Sequence, residues 1–208
     1  MRLYKRTYFV ILVSFSMNLI SQYEININYE SGFEYKSQKM LLKDLEKESS
    51  RLGIQALIQK QDWIENYSII YKPFKKKVFI SIKNREPIFI LNKEYFYDKN
   101  LIKFKYDQSN NKLIKVDGDI NKIKDVLFLI ELVELNNLIN FKINKIEYNF
   151  VSGWDVITES TLIRFGKDIP QDRVKNFIDT VNYLYEKKKI PSIIDMRYKD
   201  GVAIDYGK

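Results

Sequence analysis

The sequence contains no cysteine and no histidine, and each absence excludes a class of chemistry. Zinc sites built on thiolate or imidazole ligands are excluded. The Ser-His-Asp and Cys-His arrangements of hydrolytic enzymes are excluded for the same reason. A disulfide scaffold is also impossible. The remaining functional classes must work without thiol or imidazole groups.

Glycine is scarce, with seven residues in the chain, and neither G-x-G-x-x-G nor G-x-x-x-x-G-K-[ST] occurs. A phosphate cradle therefore has few candidates. Acids are abundant, so residue types alone leave a two-carboxylate hydrolase open. No acid pair is singled out by its spacing, and a helix cap explains Asp117 and Asp119 around Gly118. We predict no enzyme activity, no catalytic residue, no cofactor and no metal; the alternative is an exported hydrolase or cell-wall-binding protein with a carboxylate site.

The charge balance is mildly basic, with 35 Lys and Arg against 27 Asp and Glu. Arg2, Lys5 and Arg6 supply three of these positive charges. A solvated lysine-rich surface explains the remainder better than nucleic-acid binding, so we predict no nucleic-acid partner. Hydrophobic residues make up 45% and aromatic residues 14% of the chain, which is enough for a real core. Trp63 and Trp154 are expected to pack in the core or at an interface rather than serve as stacking platforms.

The amino terminus has the pattern of a membrane signal. An uncharged run extends from Thr7 to Tyr23, close to the short limit for a spanning helix. Basic residues precede the run and Glu24 follows it, which predicts an internal N-terminus and an external body. A cleaved signal peptide shares these features, although Ser14-Phe15-Ser16 only poorly approximates its cleavage site. We favour a cytoplasmic tail and uncleaved transmembrane anchor over residues 1–22.

Residues 23–86 predict a small unit in the order β-α-α-β-β. "YEININY" alternates apolar and polar residues, as a half-buried strand does. Ser37 is placed to cap a helix to about Arg51, which Leu52-Gly53 would end before a short second helix. "NYSIIYKPFKKKVFISIKN" then predicts two strands around a proline turn.

Residues 87–208 predict a second, β-rich domain that begins at Pro87. Strands are expected in "PIFILN", "KLIKVDGD" and "FKINKIEYNF", and a hairpin is expected around Glu159-Ser160. Helical spacing follows Asp119 to about Leu135, and Pro170 opens a second helix. The predicted fold class is therefore α+β: a single N-terminal transmembrane helix, the β-α-α-β-β unit, and a mixed or antiparallel β-rich domain with two helices.

The chain closes on "IPSIIDMRYKDGVAIDYGK", which predicts two strands around Lys199 to Gly201. The last strand, expected over Val202 to Tyr206, has no later segment to pair with it. An unpaired strand edge invites another strand, and proteins normally blunt such edges. The residues alone leave two interpretations open: a covered edge, or β-augmentation by a partner.

The order of these segments resembles the FtsQ/DivIB family of bacterial cell-division proteins. "DWIENYSIIYKPF" resembles the tryptophan, strand and proline turn of that family's POTRA domain, and "VFISIKNREP" its next strand and Glu-Pro exit. "LIRFGKDIPQDRVKNFIDTVNYL" resembles its strand-Gly-helix segment. "IIDMRYKDGVAIDY" is close to its Asp-Leu-Arg-Tyr-x-x-Gly-x-x-Val pattern, and Tyr206 stands where tryptophan is common.

The resemblance implies a POTRA domain over 23–86 and an FtsQ-type β domain over 87–208. It implies a divisome scaffold at the division site, a single-pass protein of the bacterial inner (cytoplasmic) membrane with a cytoplasmic N-terminus and a periplasmic body. The membrane contact would be residues 7–23. The scaffold would link cytoplasmic and periplasmic division proteins, and its edge strand would receive the periplasmic part of an FtsB/FtsL-type (DivIC-type) partner. Other divisome membrane proteins would also bind.

The resemblance also implies which residues bind the partner. Arg197 would pair with a partner acid, Tyr198 and Tyr206 would act as anchors, and Gly201 would permit the turn. The full predicted set is Arg197, Tyr198, Asp200, Gly201, Val202, Ile204 and Tyr206, with Trp63 as a possible second docking site. The alternatives are a surface charge for Arg197 and sheet packing for the tyrosines.

Overall fold

The structure, a computed structural model, describes residues 23–109, 112–119, 121–134, 138–199 and 201–207. It divides into two compact units between Arg85 and Glu86. The boundary predicted from the sequence lay one residue later, between Glu86 and Pro87.

The first unit contains a three-stranded mixed sheet and two helices. In chain order its elements are β1 (Glu24–Tyr29), α1 (Ser37–Lys47), α2 (Arg51–Gln59), β2 (Ile64–Lys72) and β3 (Lys77–Asn84), with a 3-10 turn at Pro73–Lys75. The sheet order is β1-β3-β2. β1 runs parallel to the central strand β3, and β2 runs antiparallel to it. This is the element order that the sequence predicts.

The core of this unit follows from two apolar periodicities. Every second residue of β3 is buried, because successive side chains of a strand point to opposite faces. The apolar ones are Val78, Ile80 and Ile82, and the last is the polar residue Asn84. Each helix buries two residues four positions apart: Leu41 and Leu45 in α1, and Ile54 and Ile58 in α2. One face of the sheet is therefore covered by helices.

The break between α1 and α2 differs from the prediction. Gly53 was expected to end a helix, but it lies in the first turn of α2. The Ser50 hydroxyl accepts a hydrogen bond from the Gly53 amide at 2.9 Å, and thus caps the start of this helix. The Glu48 side chain occupies the space that a Cβ at position 53 would need. The glycine therefore makes room for a folded-back carboxylate instead of ending a helix.

The second unit contains a nine-stranded mixed sheet. Its strands are β4 (Pro87–Leu91), β5 (Tyr95–Asp98), β6 (Lys103–Lys105), β7 (Ile114–Asp117), β8 (Ile143–Asn149), β9 (Gly153–Thr158), β10 (Leu162–Gly166), β11 (Ile193–Asp195) and β12 (Ala203–Asp205). The sheet order is β12-β11-β10-β9-β8-β7-β4-β5-β6. Its helices are α3 (Ile123–Glu134) and α4 (Gln171–Lys187). The predicted hairpins β9–β10 and β11–β12 are confirmed.

An apolar row crosses this sheet and defines its buried face. The strand registers align Val116, Ile146, Val156, Ile163, Ile194 and Ile204 from β7 to β12. The same buried cluster contains apolar residues of both helices, including Leu129 of α3 and Phe177 of α4. Ile204 lies at the end of the row and is half-buried against the cluster. Ile204 therefore ties β12 to the core.

The predicted fold class needs a correction. The described residues form a mostly β structure with mixed sheets and four helices, rather than an α+β chain led by a transmembrane helix. None of the described helices combines the length and the apolar character that crossing a bilayer requires. The expected cytoplasmic tail and anchor over residues 1–22 lie outside the described residues.

Candidate docking edge

β12 forms one edge of the nine-stranded sheet. It pairs with β11 alone, in antiparallel register, with Ile193 opposite Asp205 and Asp195 opposite Ala203. Among the described residues, no strand pairs with the outer side of β12. The edge that the sequence predicted to be unpaired is therefore unpaired within this part of the chain, although the strand is shorter than the expected Val202 to Tyr206.

The predicted partner-binding residues lie around this edge in different settings. Tyr198 and Tyr206 are 59% and 44% exposed, at opposite ends of the β11–β12 hairpin. Val202 and Ile204 are half-buried against the core, so they position the strand more than they offer side chains to a partner. Gly201 is exposed, and a Cβ there would meet no atom within 4 Å. Asp200 lies outside the described residues.

Arg197 already has an acidic partner in its own chain. Its Nη2 lies 2.6 Å from Asp195 Oδ2, and its Nε donates to Asp195 Oδ1 at 2.8 Å. The Arg197 amide donates to the same carboxylate at 3.1 Å. These hydrogen bonds lower the pKa of Asp195 and raise the pKa of Arg197. The prediction that Arg197 meets a partner acid stays untested, but its Nε and Nη2 are already engaged.

A charged row leads across the sheet to this pair. Arg164 of β10 lies opposite Asp155 in β9 and opposite Asp195 in β11. Burial raises the pKa of Asp155, although the charges of Arg164 and Arg197 oppose that effect. Asp155 Oδ1 and Arg164 Nε are buried without a hydrogen-bond partner in the structure. The row therefore places the Asp195–Arg197 pair at the end of an alternating set of charges.

A basic pocket lies beside Arg197, at the end of β12 that starts with Ala203. Its lining residues are Val151, Ser152, Gly166, Lys167, Asp168, Pro170, Arg173 and Arg197. Arg173 donates a hydrogen bond to the Asp168 carbonyl, which holds its guanidinium in place. Gly166 has a φ of 83°, and a Cβ there would lie 3.2 Å from Arg173 and 3.3 Å from Arg197. Glycine thus permits both side chains to approach closely, and the pocket carries three positive charges against one carboxylate.

An apolar groove, here called the distal groove, lies beyond the opposite end of β12. Its lining residues are Leu138, Ile139, Asn140, Leu184, Tyr185, Glu186, Lys188, Lys189 and Ile190. Lys189 Nζ lies 5.2 Å from the centre of the Tyr206 ring, a cation–π contact. The basic pocket therefore lies toward one end of the edge strand and the distal groove toward the other.

Trp63 is a core residue, which argues against its predicted role as a docking surface. Its side chain is 3% exposed and its ring stacks on Tyr35 with the centroids 5.1 Å apart. Its Nε1 donates to Gln61 Oε1 at 3.0 Å. Trp154 is buried to the same degree, as the sequence predicts. Neither indole is available as a stacking platform.

A third pocket is relevant to the alternative function, a hydrolase with a carboxylate site. It is lined by Asp119, Asn121, Lys122, Asp125, Tyr148, Trp154, Lys167 and Asp168. Asp119 and Asp168 are exposed, and Asp125 is half-buried. General acid catalysis by a carboxyl group requires a setting that raises its pKa, usually burial. The exposure of Asp119 and Asp168 gives no support to a hydrolytic site.

Lys167, Arg173 and the distal groove are candidate functional features that were not predicted from the sequence. One signal for the basic pocket was present: basic residues occur on both sides of the junction between a strand ending in Gly166 and a helix opened by Pro170. No comparable local signal marks the groove, because its two walls come from segments about fifty positions apart.

The chain has no match among protein-family models and none among curated proteins. The arrangement of the described residues is what supports the function proposed next.

Proposed function

We propose that this protein is a divisome scaffold that binds an FtsB/FtsL-type (DivIC-type) division protein by strand addition to β12. It acts outside the cytoplasmic membrane at the division site of a bacterium and performs no catalysis. The first unit serves as a POTRA domain and the second as the FtsQ-type β domain, with other divisome membrane proteins as further partners. The observation that carries the proposal is the free outer side of β12 within the described chain.

The two edges of the nine-stranded sheet differ in a way that favours this role. At one edge, two of the three residues of β6 are lysines, Lys103 and Lys105. Lysines on an edge strand discourage pairing with another chain. β12, at the other edge, is Ala203-Ile204-Asp205 and carries neither lysine nor proline. The sheet thus presents one protected edge and one receptive edge.

Strand addition gives affinity through backbone hydrogen bonds, and neighbouring side chains give specificity. Tyr198 supplies an exposed aromatic ring next to the edge, the residue type enriched at binding hot spots. The basic pocket formed around Lys167, Arg173 and Arg197 suits a carboxylate on the partner. The expected partner segment is therefore an extended strand with an acidic residue at one end.

The test is a titration of the full chain with the extracytoplasmic segment of the FtsB-type protein from the same bacterium. Tyr198→Ala is expected to weaken binding by about 1–3 kcal/mol, because a large amphipathic contact is lost. Tyr183→Ala is the matched control, since Tyr183 is 48% exposed on α4 and lines neither the pocket nor the groove. Circular dichroism should show both variants folded.

Absence of binding by the unmodified chain would overturn the proposal, and so would equal losses in the two tyrosine variants. Depletion in the source bacterium provides the cellular test. Filaments with unfinished septa are the expected result, and normal division would contradict the proposed role.

A further inference from the structure

The distal groove is lined by exposed apolar side chains. Tyr185 and Ile190 are 54% and 60% exposed, and Leu138 is 43% exposed. They stand together beside buried Leu184, which belongs to the core cluster. Contiguous apolar surface rimmed by polar residues marks an interaction site.

We propose that the distal groove binds an aliphatic side chain, accompanied by a carboxylate, from the same partner segment that adds to β12. This inference rests on the proposed function. The bound residue lies just past the end of the added strand, on the side of Tyr206. The segment is thus held at three places: the basic pocket, the edge strand and the groove.

One lining residue of the groove contacts the residue that follows the edge strand. The Ser192 amide donates to the Asp205 carbonyl at 2.8 Å, which fixes the end of β12. Ser192 is two residues after Ile190, which lines the groove. Lys189 contacts the Tyr206 ring and also lines the groove. Lys189 therefore links the surface of the groove to Tyr206, the residue that directly follows β12.

The charge of the rim selects the chemistry of the occupant. Lys188 and Lys189 line the groove and Glu186 is the one acid among its lining residues. Lys187 ends α4, with its Nζ over the Tyr183 ring. The two lining lysines favour a carboxylate next to the apolar residue. They disfavour a second copy of this chain, because the chain itself carries a net charge of +8.

The experiment uses the full chain and three synthetic peptides from the FtsB-type partner. One peptide covers only the segment that adds to β12, and the other two extend it at either end. One extended peptide is expected to bind about tenfold more tightly through the groove, as burial of a single anchor side chain gives. Ile190→Asp should abolish that gain and leave the affinity for the core peptide unchanged.

Ile70→Asp is the matched control, because Ile70 is 58% exposed in the first unit and lines none of these surfaces. Lys189→Glu should reduce the same gain, and the loss should diminish at high salt. If the core peptide binds but Ile190→Asp and Ile70→Asp behave alike, the groove inference is overturned and the proposed function stands. If the core peptide does not bind, the proposed function fails. A dimer in sedimentation that Ile190→Asp dissociates would identify a second copy as the occupant and overturn the inference.

Discussion

The guanidinium of Arg197 forms a bidentate ion pair with the carboxylate of Asp195, with Nη2 2.6 Å from Oδ2 and Nε 2.8 Å from Oδ1. Asp195 is the last residue of β11 and lies opposite Ala203, the first residue of β12. The pair therefore fixes the chain where it leaves one strand of the terminal hairpin. Because Arg197 also lines the basic pocket, the same contact shapes the start of the proposed docking edge.

The first prediction concerns acid stability. Hydrogen bonds from Arg197 lower the pKa of Asp195 below its unfolded value of about 3.9. The group therefore contributes stability that is present above pH ~4 and lost as the pH falls through the lowered, folded-state pKa. Asp195→Asn should cost about 1–2 kcal/mol in the free energy of unfolding at pH 7, and the difference should shrink below pH ~4. Urea unfolding at several pH values measures this.

Asp179→Asn serves as its control, since Asp179 is an exposed carboxylate on α4. A wild-type minus Asp195→Asn difference that stays constant from pH 7 to pH 3 would show that the carboxylate charge is irrelevant to stability.

The second prediction separates a core role from a docking role for Trp63. Trp63→Ala should lower the free energy of unfolding by about 3–5 kcal/mol, because it leaves a cavity next to Tyr35. Trp63→Phe should cost less, since it keeps an aromatic ring in the stack. Fluorescence-detected urea unfolding provides the measurement. A Trp63→Ala variant as stable as the wild type but unable to bind division proteins would restore the docking role.

The third prediction concerns a close backbone approach in the β9–β10 hairpin. Gly153 has a φ of 84°, and a Cβ there would lie 2.0 Å from the Gly166 carbonyl carbon. Gly153→Ala should therefore cost at least about 1 kcal/mol, because backbone must shift. Gly32→Ala is the control, since a Cβ at that position meets no atom within 4 Å. Equal melting temperatures for the two variants would contradict the prediction.

The fourth prediction tests the basic pocket. Arg173→Glu should weaken binding of the FtsB-type segment and slow its association, because it reverses a positive charge that is proposed to face a partner carboxylate. The loss should diminish at high salt. Lys175→Glu makes the same change of charge at an exposed position of α4 that does not line the pocket. Surface plasmon resonance at two salt concentrations distinguishes the two, and identical kinetics would argue against the pocket.

The order of elements in the first unit was predictable because strand and helix periodicities are strong there. Val78, Ile80 and Ile82 alternate, and Leu41 and Leu45 are spaced by one helical turn. The helix boundary was not predictable, because Gly53 reads as a helix stop. Only the structure shows that Ser50 caps the next helix there and that Glu48 folds over the glycine.

Strands β5 and β6 were not predicted, because no local sequence pattern marks them. They are short, and turn residues such as Lys99 and Asn100 lie between them. Their pairing depends on tertiary contacts between rings, with Phe96 and Phe104 5.4 Å apart. Contacts of that kind have no local periodicity to detect.

The position of the proposed docking edge was predictable from the sequence, but its contacts were not. The final strand follows from the alternation of Val202 and Ile204. The ion pair of Arg197 with Asp195 could not be predicted, because the sequence does not show which of several nearby charges pair with each other. The distal groove depends on segments far apart in sequence, and only the folded chain brings them together.

Hydrogen–deuterium exchange of the full chain, with and without the FtsB-type segment, tests the central claim most directly. We predict that the segment slows amide exchange at Ala203 to Asp205. Exchange at the opposite, lysine-bearing edge, Lys103 to Lys105, should stay unchanged. Unchanged exchange in β12 at a concentration that saturates binding would contradict strand addition at this edge.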